Sequence, residues 1–333
     1  MSYRGTLILK RSEIQKLMSF TDYVEAVEQA FRLYAQGKLP TPGVLDISGR
    51  SGMFHMKAAS MPIGEELFVA VKINGNFPQN KNRFALPTIQ GSILLSDGIR
   101  GYPLAYLDSI EITVQRTGAA TAVAAKYLAR KDSKTAAIIG CGRQGRIQLA
   151  ALKHVLPIQQ AFAFDQDQQL AEEFSHIMSS ELKISVTNTS NIADACQNAD
   201  VIVTCTTSKQ PLLNKEHVRS GTFIAAVGAD SHDKQELEPA LLAEGKVVTD
   251  IREQCAKIGD LHHAIVAGFM KIEDVHAELG EIVANTKPGR TSADEILIFD
   301  STGTAIQDVA AAAIVYQRAV QQGIGFFCDV ING

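Results

Sequence analysis

The segment AAIIGCGRQG sets Gly140, Gly142 and Gly145 in the spacing G-x-G-x-x-G, after an apolar run and at the head of the helical stretch RIQLAALKHV. Each glycine has its own task in such a turn. Gly140 permits the tight bend, Gly142 lets backbone come close to a pyrophosphate, and Gly145 lets helix and strand pack closely. Free N–H groups at the helix start, with the positive end of the helix dipole, favour that anion. Asp165 stands 25 residues beyond Gly140, at the end of the next β-like run, QAFAFDQD. A carboxylate there accepts hydrogen bonds from the adenosine ribose hydroxyls and repels a 2′-phosphate, so NAD(H) is expected in preference to NADP(H). Asp167, two residues on, is the rival acid.

Hydride chemistry on a small molecule also needs an anchor for the substrate and a group that handles a proton. Both belong near the C-terminal ends of strands, where open α/β sheets bind ligands. Asp230 ends AAVGAD, where a β-like run passes into the polar loop SHDKQEL. Its carboxylate either moves a proton at a substrate nitrogen or oxygen or caps the next helix. Lys72 follows the run LFVAVKIN and points either to solvent or into a cleft. Arg116 lies among small residues in SIEITVQRTGAATAVAAKYLA, either as a surface cation or as a fork that holds a carboxylate with two hydrogen bonds. His55, His262, His263 and His276 follow no metal-ligand spacing, and no two of the five cysteines form C-x-x-C, so no metal is assigned.

Two kinds of region must position these residues. From Thr135 onward, short Val/Ile/Ala runs alternate with helical stretches: 136–139, 160–164, 184–187, 201–205, 222–228, 247–250 and 296–299. Continuous apolar runs are expected of parallel strands covered on both faces. The first part reads as mixed α and β, with a strand at 6–9, a helix from about 20 to 36 capped by Ser19, and β-like runs at 67–73, 88–95 and 102–107. Two Ala-rich helical stretches, 109–130 and 304–322, flank the alternating region. The expectation is a Rossmann dinucleotide-binding domain, 116–304, inserted in a discontinuous α+β substrate and dimerisation domain formed by 1–115 and 305–333.

Composition narrows the function classes. A formal net charge of −4 and 6% aromatics without Trp give no basic face and no stacking platform for nucleic acid. No apolar run is long enough to span a membrane, and the N-terminus lacks the apolar stretch of a secretory signal. An odd set of widely spaced cysteines suits a reducing compartment, so a cytoplasmic protein is expected.

The chain resembles the ornithine cyclodeaminase/mu-crystallin family, and within it the archaeal-type alanine dehydrogenase branch. The resemblance is carried by EAVEQAFRLYAQGK, LPTIQG, GYPLAYLDSIEITVQRTGAATAVAAKYLARK, IIGCGRQG, VGADSHDKQELEP, EDVHAELGE and FDSTGTAIQDVA, collinear over nearly the whole length. It implies a homodimer. It further implies that Lys72 is the active-site lysine, that Arg116 grips the substrate carboxylate, and that Asp230 is the catalytic aspartate. Thr88, Arg143, Gln144, Asp165, Thr206, Val227, Lys234 and Ser301 fall on nucleotide-contacting positions, with Arg116 beside them. Ser301 and Thr302 lie near the nicotinamide and substrate. Where relatives carry an acid or arginine before an M-P-A-type segment, FHMKAAS supplies His55 and Lys57 as substrate-side residues. Replacing the acid that serves a second amine costs a diamino substrate on the order of 1–3 kcal/mol.

The implied activity is an NADH-dependent reductase of the C=N bond of a small or cyclic α-imino acid, such as Δ1-pyrroline-2-carboxylate, or the related alanine dehydrogenase reaction on pyruvate and ammonia. The alternatives are ornithine cyclodeamination with the cofactor recycled, and a non-catalytic mu-crystallin-like binding protein.

Overall fold

The computed structural model describes residues 5–330. The chain forms two compact units, Met1–Arg116 with Thr304–Gly333, and Thr117–Gly303. The first division falls inside the helix Ser109–Leu128.

Unit 1 is built on a seven-stranded sheet of β1 (Thr6–Leu9), β2 (Gly43–Ser48), β3 (Met53–Ile63), β4 (Glu66–Asn76), β5 (Ile89–Asp97), β6 (Pro103–Asp108) and β17 (Phe326–Cys328). The order is β17-β1-β6-β5-β4-β3-β2, antiparallel except where β1 pairs with β6. Side chains alternate between faces along each strand. The inner face buries Ala59, Met61, Phe68, Ala70, Ile93, Leu95, Ala105 and Leu107 under the helix Ala305–Gln322, on which the helix Phe20–Ala35 packs in turn. Two lysines, Lys57 and Lys72, are buried on that same face. Ser19 starts the first helix as expected, its hydroxyl accepting from the Asp22 N–H while the Asp22 carboxylate accepts from the Ser19 N–H.

β2, β3 and β17 have no counterpart in the sequence expectation. In MFHMKAASMPI, Lys57 and His55 occupy the inward positions of β3. The period-2 apolar signal is therefore broken on the face that carries charge.

Unit 2 holds an eight-stranded, wholly parallel sheet of β7 (Thr135–Ile139), β8 (Gln160–Phe164), β9 (Ser185–Asn188), β10 (Val201–Thr204), β12 (Phe223–Ala226), β14 (Lys246–Thr249), β15 (Ala277–Glu278) and β16 (Leu297–Asp300). Its order is β15-β14-β16-β12-β10-β7-β8-β9, and β11 (Lys209–Leu213) pairs with β13 (Gln235–Leu237) in a separate ribbon. Strand order reverses at β7, which has β8 on one side and β10 on the other. A crevice opens beyond the strand ends at such a point. The seven expected runs all appear as strands within two residues. Every residue of β7, β10, β12 and β16 is buried, as helices on both faces require.

Candidate active site

In unit 2 the three glycines occupy three different environments. Gly140 has φ +107°, open to glycine at little cost, and its N–H donates to Phe164 O at the end of β8. Gly142 caps the helix Arg143–Val155 with no side chain of its own, and a Cβ there would meet nothing within 4 Å. Its open side leaves room for a phosphate against the helix N-terminus. At Gly145 a Cβ would fall 2.2 Å from Gly140 O, so only glycine packs. Arg143 and Gln144 form the first turn of the helix.

Asp165 follows β8, and its carboxylate accepts from the Cys141 N–H at 2.8 Å and the Asp167 N–H at 3.0 Å. Each oxygen keeps a further acceptor direction for a ribose hydroxyl. Asp167 caps the helix Gln168–Leu182, its Oδ1 accepting from Gln169 and Leu170. The loop, the bare helix start and the acid beside them fit a dinucleotide.

Further along the sheet, Val227, Thr206 and Ser301 lie just past β12, β10 and β16. The Thr206 hydroxyl donates to Glu236 at 2.8 Å and the Thr302 hydroxyl to Asp250 at 3.0 Å, so both are oriented by buried carboxylates. Asp230 follows β12 and pairs with Lys234 at 2.6 Å. Burial pulls the Lys234 ammonium down, but the Asp230 charge and hydrogen bond outweigh it and hold the pKa above its ordinary value. The Lys234 carbonyl is held in turn by His263 Nε2 at 2.9 Å. Among the described residues, no three His, Cys, Asp or Glu side chains are grouped to hold a metal.

Unit 1 gathers a separate charged cluster on the inner face of its sheet. Asp308, on the helix Ala305–Gln322, bridges Lys72 Nζ at 2.6 Å and Arg116 Nε at 3.0 Å. A second Arg116 nitrogen donates to Gln307 Oε1 at 3.0 Å. Lys57 stands directly across from Lys72 in the β3–β4 register. Burial, with the Arg116 and Lys57 charges, drives the Lys72 ammonium down to about 7 against the opposing pull of Asp308. Burial raises Asp308, yet Lys72 and Arg116 outweigh it and hold the carboxyl below its ordinary value. The cluster gathers a point-charge ammonium and a guanidinium around one buried carboxylate, the chemistry that suits a small anion.

Unit 1 also holds Thr88 and His55. Thr88 precedes β5, and its carbonyl accepts from the Phe77 N–H. His55 pairs with Asp46 at 2.8 Å, one inward position from Lys57. Sequence reasoning missed Gln307 and Asp308. The signal was present: a lone acid inside the apolar helix TAIQDVAAAAIV mirrors Arg116 among its small neighbours.

A family model described as the ornithine cyclodeaminase/mu-crystallin family matches residues 4–323. The chain belongs to that family. It is 40% identical over 321 residues to an alanine dehydrogenase of Archaeoglobus fulgidus, covering 96% of this chain and 97% of the relative. An archaeal alanine dehydrogenase dimer with bound NAD superposes with a TM-score of 0.93 at 39% identity, covering 98% of this chain and all of the other. The Δ1-pyrroline-2-carboxylate reductase of Thermococcus litoralis, in complex with NADH and L-proline, gives 0.91 at 36% identity, covering 96% and 99%. For this family member the mixed α/β architecture with a Rossmann-like unit is thereby established from both directions, local motif and whole-chain similarity.

Proposed function

We propose that this family member is an NADH-dependent oxidoreductase that reduces the C=N bond of a small or cyclic α-imino acid, as in Δ1-pyrroline-2-carboxylate reduction or the alanine dehydrogenase reaction. One observation carries the reading: a buried Lys72–Asp308–Arg116 cluster suited to a carboxylate stands in the same chain as a complete dinucleotide loop. When bound, the nicotinamide supplies the hydride. Arg116 and Lys72 hold the substrate carboxylate, and Asp308 sets the geometry of both cations. Asp230 holds or moves the proton at the substrate nitrogen. Asp165 binds the adenosine ribose and disfavours a 2′-phosphate, hence NADH over NADPH.

Lys57 favours this reading over ornithine cyclodeamination. Its charge lowers the pKa of Lys72 across the strand pair, and a second ammonium on a diamino substrate meets the same repulsion. The test follows NADH absorbance with Δ1-pyrroline-2-carboxylate and with pyruvate plus ammonium, alongside NADPH. Turnover of at least one, faster with NADH, is expected. Proline formed from ornithine without net NADH change would replace this reading with the cyclodeaminase.

The working form is a homodimer through the outer face of the unit 1 sheet. Phe54, Ile73, Leu94 and Tyr106 lie on that face, each 37–49% exposed. Leu94 is the register partner of both Val71 and Tyr106, so the patch runs continuously across strands. A second copy of the same patch covers it by two-fold symmetry. Sedimentation of Leu94→Glu is expected to show a monomer where the native chain is a dimer. The five free cysteines support a cytoplasmic setting.

A further inference from the structure

Unit 2 buries four carboxylates completely, Glu236, Asp250, Asp260 and Asp300. Glu236 accepts three hydrogen bonds from two different loops. One oxygen accepts from the Thr206 N–H at 2.6 Å and the Thr206 hydroxyl at 2.8 Å, and the other accepts from the Gly228 N–H at 2.8 Å. Thr206 lies beyond the end of β10 and Gly228 beyond the end of β12, neighbouring parallel strands. A single carboxylate therefore ties two strand-end loops together. The fit is close: a Cβ on Gly228 would lie 2.5 Å from the Glu236 carboxyl and from Thr206 O.

Glu236 is itself held from behind. Its own N–H and that of Leu237 donate to Asp260 Oδ1 at 2.8 and 2.9 Å. The N–H of Leu261 donates to Asp300 at 2.9 Å, and Asp300 ends β16. The acids thus form a chain linked through backbone amides.

Position along the sheet says what the clamp serves. On the dinucleotide reading Asp165, at the end of β8, would take the adenosine ribose, and the helix start after β7 would take the pyrophosphate. β10 and β12 continue in the same direction past β7, with strands spaced about 4.8 Å apart. The remaining half of the dinucleotide, with its nicotinamide, would run over their loops when bound. A carboxylate offers only acceptors to the three donors there, whereas an amide turns an N–H₂ toward an N–H.

We propose that Glu236 is a positioning residue of the nicotinamide half of the cofactor site, fixing the spacing of the loops after β10 and β12. The inference rests on the dinucleotide reading above. Its test compares binding of NADH with binding of ADP, which carries only the adenosine and pyrophosphate, by calorimetry on the full-length protein. In Glu236→Gln, the Kd for NADH is expected to rise at least about 10-fold, with ADP affinity within about 2-fold. The KM for NADH rises in parallel while kcat at saturating cofactor changes less. Gly228→Ala, which pushes a methyl group into the carboxyl, gives the same selective loss from outside the strand and stands in if Glu236→Gln does not fold. Equal losses for NADH and ADP, or a lower melting temperature with both affinities intact, would overturn the clamp. A native protein that binds ADP and NADH not at all overturns the dinucleotide reading itself, and the two failures are thereby distinct.

Discussion

Asp308 in unit 1 and Asp260 in unit 2 are both aspartates with essentially no exposed surface, yet their carboxyl groups shift in opposite directions. Burial raises both. Asp308 lies against Lys72 and Arg116, whose charges more than offset that penalty. Asp260 has another acid, Glu236, as its charged neighbour, and the amide donors of Leu237 and Glu236 only partly compensate, so its pKa stands at about 7. Asp300, facing Asp260 and Asp250, is likewise pushed well above the ordinary range. Buried charge serves two ends here. In unit 1 it joins side-chain cations, while in unit 2 it fastens backbone.

The largest effects test the groups assigned to proton and carboxylate in the proposed reaction. Asp230→Asn is expected to lower kcat for imine reduction by about 10³-fold with NADH affinity retained, as read by steady-state kinetics and fluorescence titration. Retained turnover would remove Asp230 from proton handling. Arg116→Met leaves Asp308 without one of its cations and removes the carboxylate fork. A loss of about 10²-fold or more in kcat/KM for the imino acid is expected.

Lys72 gives unit 1 a pH signature. Only its protonated form attracts a carboxylate, and its pKa in the free protein is about 7. Imino-acid kcat/KM is therefore expected to fall as pH rises through about 7, and that limb disappears in Lys72→Met. A limb that persists in the variant belongs to another group.

The glycine loop separates the ligand from the scaffold within unit 2. Gly142→Ala points a methyl group into open space, so melting temperature is expected to stay within about 2 °C while NADH affinity drops roughly 10-fold or more. Gly145→Ala drives a methyl group into Gly140 O and is expected to cost stability first, by a few kcal/mol, seen as a lower urea midpoint.

The smallest effect sharpens the contrast between the two aspartates. Asp260 has a raised folded pKa, so its contribution to stability is present below its unfolded pKa near 4 and is lost as pH rises to about 7. Asp308 has the reverse sign: its contribution is present above the unfolded pKa and lost on acidification. Asp260→Asn keeps an acceptor oxygen and should gain on the native chain in melting temperature between pH 4 and 7. Asp308→Asn should trail the native chain by a constant margin over the same interval and close on it only below about pH 4. Parallel trends would mean that the two environments do not differ as described.

Much of unit 2 was legible beforehand because parallel strands covered on both faces must be continuous apolar runs, and such runs stand out in any sequence. β7, β8 and β10 begin within a residue of where the pattern starts them. β3 was illegible for the opposite reason. Its inward positions hold His55 and Lys57, and a lysine on the covered face of a sheet contradicts the alternation that identifies a strand. Glu236, in SHDKQELEP, looks like an ordinary surface acid, since nothing local signals that both its oxygens are taken by loops beyond two other strands.

The sequence alone determined what depends on neighbours along the chain: the glycine turn, the helix start behind it, the strand runs, and the acid 25 residues on. Backbone stereochemistry and side-chain period act over a few residues, so those features can be read directly. Only the tertiary structure decided which charges meet. Lys72 and Arg116 are 44 residues apart and share a carboxylate nearly 200 residues beyond Arg116, at position 308. Electrostatic partnership depends on distance in space, and the chain returns to the same sheet face only after the whole of unit 2 has intervened.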